Sequence, residues 1–317
     1  VTAALGLAIA AAIALPHVLT LRRVPPATAV AIWMAALALR AAASMLVVVY
    51  VALYFPGTAL FDALTHWCWH AIIPTLTSHF GLDGHVVGTA AILAPVALLA
   101  VSLLWMGMSA ARGIRAARHL LARHSLGTGP RGSVIVGGPE VVLAVAGVTH
   151  PRIVVSAGAL IALDDDELAA ALDHEHAHIA RRHRFVMIAA LVLRALGRLV
   201  PGSGRALAET AFHLERDADR CALRRRDDPH TLARVITKSA VGAHPGSATS
   251  RRVHELLGDA PAGRRPAGIA LNLVAAGLVA FAFALAAVVP PVALGGVEGG
   301  GHDDAHGSRC HHDLAHH

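Results

Sequence analysis

The chain has 317 residues, of which 55% are hydrophobic and only 15% charged, and its mean hydropathy is +0.57. That is too apolar for an ordinary water-soluble domain and calls for membrane-spanning segments. The formal charge of +6 does not point to nucleic acid, because aromatics make up 4% and no mixed basic-aromatic patch occurs; a basic face against anionic lipid accounts for it better.

The first apolar run, residues 2–21, is followed by Arg22 and Arg23 and then Pro25-Pro26. A secretory signal would carry its positive charge before the apolar stretch, so this reads as a span whose far end is cytoplasmic. A second run, 27–55, is interrupted by Arg40. With the spanning core at 36–55, Arg40 lies near one end, where its guanidinium can snorkel to the same side as Arg22. Residues 56–85 contain Trp67 and Trp69 and no Lys or Arg, which suits a short exterior loop with an interfacial aromatic anchor. A third span is expected at 86–108, with Pro95 as a kink, and Arg112, Arg115, Arg118 and Arg123 after it mark the cytoplasmic side.

Residues 109–266 are polar enough for a folded domain. Strand-like pieces at 133–136, 141–145 and 153–156 are separated by glycine and proline breaks. The stretch 163–184, LDDDELAAALDHEHAHIARRHR, then reads as one helix. Asp164 can cap it, Glu167 completes a capping box, and Leu168, Ala171, Leu172 and Ile179 follow at helical spacing. An apolar helical stretch at 185–200, a break at 201–204 and helices at 205–226 and 229–241 come next. A fourth span is expected at 268–289, and a glycine-rich, histidine-rich tail follows. The charge distribution supports this order: 23 of the 27 Lys and Arg fall in the central segment. The topology is therefore four spans with both termini outside and the polar domain in the cytoplasm.

Within the 163–184 helix, His174, Glu175 and His178 form His-Glu-x-x-His. Residues four apart leave one face of a helix, so both imidazoles can grip one metal ion while Glu175 stands ready to take a proton from the attacking water. Two chance histidines on a surface helix are the plain alternative in a chain with 22 histidines. His176 and His183 fall on the opposite side of a continuous helix, away from such an ion. A catalytic zinc site needs a third protein ligand. Glu215, returned by a helical hairpin across the 201–204 break, is the best placed; Glu209 and His213 are alternatives, and Glu215 and Asp219 could instead pair with Arg216 and Arg220. Asp219 shares the face of Glu215 and can hold a ligating imidazole by its other nitrogen. His213, His230 and His254 are weak candidates for an oxyanion partner. Cys68, Cys221 and Cys310 lie far apart and suggest neither disulfides nor a zinc ribbon.

The order PRIVVS (151–156), DELAAALDHEHAH (166–178), RRH (181–183) and ERDAD (215–219) resembles the BlaR/MecR-like family of integral-membrane zinc metallopeptidases of the gluzincin type. The resemblance implies a polytopic α-helical membrane protein with a cytoplasmic α+β zincin-like domain. Three spans would lie in 1–108, the metallopeptidase domain in 109–266, the fourth span in 267–290 and an exterior tail in 291–317. It implies Zn²⁺ held by His174, His178 and Glu215, with Glu175 as general base and Asp219 in support. It also implies regulated cleavage of a protein substrate such as a transcriptional repressor, with no direct contact to nucleic acid. Two departures stand out: His183 replaces a more usual aspartate, and no penicillin-binding sensor follows the fourth span. HtpX-type quality-control proteases have similar motifs but usually two spans before the domain. A non-catalytic metal sensor is the reading from another class, and the tail histidines (His302, His306, His311, His312, His316 and His317) would serve it.

Overall fold

The computed structural model describes residues 13–14, 16–17, 21, 24–53, 84–240 and 247–258. Its first two helices, α1 (Pro26–Leu53) and α2 (Gly84–His124), are rich in the strong helix formers alanine and leucine, and α2 continues through Pro95, Gly107 and Gly113. Each contains a stretch long and apolar enough to cross a membrane, at Pro26–Val48 and Val96–Ala116. Most of the expected first span, all of the expected fourth, the loop with Trp67 and Trp69, and the histidine tail lie outside the described residues.

The helix that carries the expected third span continues past Met108. Helix α2 runs on through Arg112 and Arg115 for 41 residues in all, about 60 Å, roughly twice the hydrocarbon thickness of a bilayer. Leu98, Val101, Leu104 and Trp105 on it are exposed. Half of the apolar window of α1, by contrast, is buried inside the protein.

Four short strands follow, with β-branched residues concentrated in the second and fourth: β1 (Ser125–Thr128), β2 (Val134–Val136), β3 (Leu143–Ala146) and β4 (Arg152–Ser156). The sheet order is β1-β2-β4-β3; β2 and β4 are parallel and the outer pairs antiparallel. β1 has no counterpart in the sequence reading, since SLGT is exposed throughout and contains a glycine bulge. β4 is therefore interior, with both edges paired, and β3 forms one edge of the sheet.

The helices α3 (Ala157–Ala162), α4 (Asp165–Ala180), α5 (His183–Leu196), α6 (Ser203–Arg226), α7 (Pro229–Ala240) and α8 (Ser247–Leu257) complete the domain. The capping box forms: Asp164 accepts from the Glu167 N–H at 2.8 Å, and Glu167 accepts from the Asp164 N–H at 3.1 Å. Leu172 and Ala171 of α4 pack with Val155 and Ile153 of β4 and Val235 of α7. Each buried leucine or valine there contributes about 1.5–3 kcal/mol.

The expected single helix over 163–184 is in fact two. α4 stops at Ala180, and Arg182 adopts a left-handed φ of 55° before α5 begins at His183. The break turns the helical register, so residues beyond it no longer follow the 100° count from His174.

The expectation that Arg40 snorkels is also corrected. Arg40 is 1% exposed. It donates to the carbonyls of Pro201 at 3.2 Å, Ala36 at 3.0 Å and Ile13 at 3.1 Å. Protein, rather than an interfacial water layer, receives the charge. Around it Trp33, Ile32 and Leu37 of α1 pack on Ala190 of α5 and Ala206 of α6. Gly197 lets α1 come this close: a Cβ there would sit 3.1 Å from that of Arg40. α1 is thus joined to the helix that carries Glu215.

Candidate active site

The hairpin across Pro201 and Gly202 lays α6 against α4. Gly202 supplies the turn with a φ of +85°, a value that favours glycine. His174 and His178, one turn apart on α4, meet Glu215 of α6. His174 Nε2 lies 3.1 Å from His178 Nε2 and 3.3 Å from Glu215 Oε2, and His178 Nε2 lies 3.5 Å from Glu215 Oε1. Ligands at 2.0–2.1 Å in a tetrahedron around zinc stand about 3.3–3.4 Å apart. The two imidazole nitrogens and the two carboxylate oxygens they meet stand near that separation, with one ligand atom of each residue within 4.8 Å of the others, so the donor set fits the metal in number and type. Among the described residues, these three are the group that could hold a metal ion.

Charge follows the same plan. His174 Nδ1 lies 2.9 Å from Asp219 Oδ1, although the angle falls short of a formed hydrogen bond. Burial alone would lower the His174 pKa, but Asp219 and Glu215 outweigh it and raise it to about 10. For His178 burial prevails and lowers its pKa to about 4. Burial would raise Glu215, yet His174 and Arg252 bring it down to about 2. At neutral pH, with no ion bound, His174 is therefore the cationic imidazolium while His178 is neutral and Glu215 ionised.

Glu175 lies beside this cluster. Burial pushes its carboxyl up from the ordinary glutamate range, partly countered by His174 and by the backbone N–H of Val145. A carboxylate raised toward neutrality is suited to taking and returning a proton. The cluster opens into a cavity of about 590 Å³ lined by Leu143 and Val145 of β3, Leu232 and Ile236 of α7, Met187 and Arg252.

The competing candidates lie elsewhere. Glu209 pairs with Arg251 at 3.0 Å, and buried His213 meets Arg216 at 2.9 Å. His230 and His254 are exposed and are not among the residues lining the cavity. The salt-bridge partners expected for Glu215 and Asp219 are replaced by Arg252, at 2.8 Å and 2.7 Å. It comes from α8, a helix the sequence reading lacks although Val253, Leu256 and Leu257 repeat at helical spacing. His183, placed by that reading on the far side of the helix, reaches the site because of the break at Arg182. Two members of the arginine run at 224–226, Arg225 and Arg226, join Arg131 around Asp173, a buried carboxylate of α4, at 2.7–3.2 Å.

Residues 115–262 match the family model described as Peptidase family M48. The match supports an M48 metallopeptidase domain over that segment, and peptidases of this family are typically zinc-dependent. His174, Glu175, His178, His183, Glu215, Asp219 and Arg252 all fall inside it, whereas α1 lies outside. No curated protein and no solved structure matches the chain.

Proposed function

We propose that the chain is a membrane-embedded zinc endopeptidase that cleaves a protein substrate at the cytoplasmic face, in regulated proteolysis such as inactivation of a repressor. The observation that carries this reading is the triangle of His174, His178 and Glu215 with the raised carboxyl of Glu175 beside it. The three residues would hold Zn²⁺, which when bound would acidify the attacking water and polarise the scissile carbonyl. Glu175 takes the proton from that water and passes it to the leaving amine. Asp219 stands 2.9 Å behind the ring of His174, and Arg252 pairs with both Asp219 and Glu215.

An extended substrate segment adds to β3 rather than to β4, whose two edges are already paired. No strand covers the outer edge of β3 among the described residues, and the Val145 N–H directed at Glu175 brings that edge to the reacting centre. Backbone pairing of this kind selects weakly among side chains. That favours a second reading, quality control of membrane proteins, in which many substrates rather than one would be lost from the wild type. A non-catalytic sensor would not require a carboxylate at position 175.

Chelation is expected to abolish cleavage and added zinc to restore it, with a defined pH dependence. His174 must lose its proton to bind the ion, and its free pKa is about 10, while His178, at about 4, is already neutral. Zinc affinity should therefore rise roughly tenfold per pH unit between pH 5 and 7, with one proton released per ion. Affinity flat across that window, or cleavage indifferent to chelator, would contradict the assignment. For the membrane arrangement, a phosphatase fused after Gly299 should be active outside the cell and one fused near Gly127 inactive. Activity at Gly127 would put the domain on the other side.

A further inference from the structure

The second nitrogen of each motif imidazole has a different neighbour. Behind His174 stands a carboxylate, Asp219. Behind His178 stands another imidazole: His183 Nδ1 lies 3.0 Å from His178 Nδ1, and the two rings meet nearly edge to face at 82°. His183 is 6% exposed. Its Nε2 lies 3.2 Å from Asp217 Oδ2. Arg181 in turn holds Asp217, with its Nε 3.2 Å from Oδ2.

We propose that His183 is a positioning residue that fixes the tautomer and orientation of His178 by accepting its Nδ1–H, with Asp217 orienting His183 in turn. The inference rests on the reading of His178 as a metal ligand. The direction of the chain follows from proton bookkeeping. An ionised carboxylate only accepts, so in its neutral form His183 donates from Nε2, which leaves a lone pair on its Nδ1. That lone pair can accept only if His178 carries its proton on Nδ1, and this leaves the lone pair of His178 on Nε2. Nε2 is the atom that faces His174 and Glu215. Asp217 and Asp219, two residues apart on α6, thus each back one imidazole of α4, the first through an interposed ring and the second directly. The left-handed turn at Arg182 makes this possible by swinging His183 back toward the ligand it would otherwise face away from.

The zinc dissociation constant should be measured by competition with a chromophoric chelator on the full-length wild type, His183→Asn, His183→Gln, His183→Leu and Glu215→Ala. An asparagine Oδ1 stands close to where Nδ1 stood and can accept from His178, whereas a glutamine reaches Asp217 but leaves His178 without an acceptor. Affinity is expected to fall roughly 10–100-fold in the Gln and Leu variants, the usual loss for a ligand's outer hydrogen bond, and to be largely retained in Asn. Wild-type affinity in His183→Gln would overturn the proposal, as would equal losses in Asn and Gln, which would mean packing alone. Unfolding midpoints of the metal-free proteins identify any variant that has lost its fold. ¹⁵N-histidine NMR of the zinc-loaded wild type then gives an answer that needs no variant: a proton on His178 Nδ1 supports the proposal, and a proton on Nε2 overturns it. If Glu215→Ala bound zinc as tightly as the wild type, the ligand assignment beneath the proposal would fail instead, an outcome distinct from a loss confined to the His183 arm.

Discussion

Glu175→Gln is expected to lower the rate of peptide cleavage by about 10²–10⁴-fold or more, the range supplied by a positioned general acid-base, while zinc stays near one ion per chain. Glutamine keeps the volume of the side chain and can still accept from the Val145 N–H that reaches Glu175. It cannot take a proton from water. Residue 175 supplies none of the three donor groups of His174, His178 and Glu215, so the metal should remain. Elemental analysis and the turnover of an unstructured protein substrate read the two quantities separately. Undiminished turnover in Glu175→Gln would remove the proposed base.

The second large effect is expected at Glu215. Its replacement by alanine takes away one of three protein ligands, a more severe change than loss of an outer hydrogen bond, and should weaken zinc binding by at least about 100-fold. Cleavage should fall with it. The variant also leaves Arg252 without one of its two carboxylate partners, so some loss of stability should accompany the loss of metal. Glu209→Ala is the control on the same helix. It removes a partly exposed pair with Arg251, worth about 1 kcal/mol or less, and should change neither zinc content nor turnover. Exchange of the two results would mean that the register of α6 after Gly202 is wrong.

What could be read from the sequence was local. The cap at Asp164 and Glu167, the pairing of His174 with His178, and the return of Glu215 across a Pro-Gly break all depend on a few residues and a helical period. What could not be read depends on approach between distant segments or on one backbone angle. His183 was assigned to the far face because the period was carried through Arg182, whose left-handed φ of 55° resets it. Arg252 sits 33 positions beyond Asp219 on a helix the sequence reading omitted, and only the packing of α8 brings it to the site. Arg40 shows a different limit. An arginine in an apolar run suggests a position near a membrane surface, but hydropathy does not tell lipid from protein, and here carbonyls of the hairpin turn and of neighbouring segments surround the guanidinium. Likewise the edge strand could not be told from the interior one: Ile153 to Ser156 is the more apolar segment because it is flanked on both sides, so backbone pairing falls to β3.

The ligand set itself is the claim on which the rest depends, and zinc K-edge X-ray absorption on the purified full-length protein reads it directly. Two imidazole nitrogens together with oxygen donors, all at about 2.0–2.2 Å, are expected, with the imidazole scattering halved in His178→Ala and the oxygen shell altered in Glu215→Ala. A sulfur shell at about 2.3 Å, or a spectrum that neither substitution changes, would place the metal elsewhere and contradict the account.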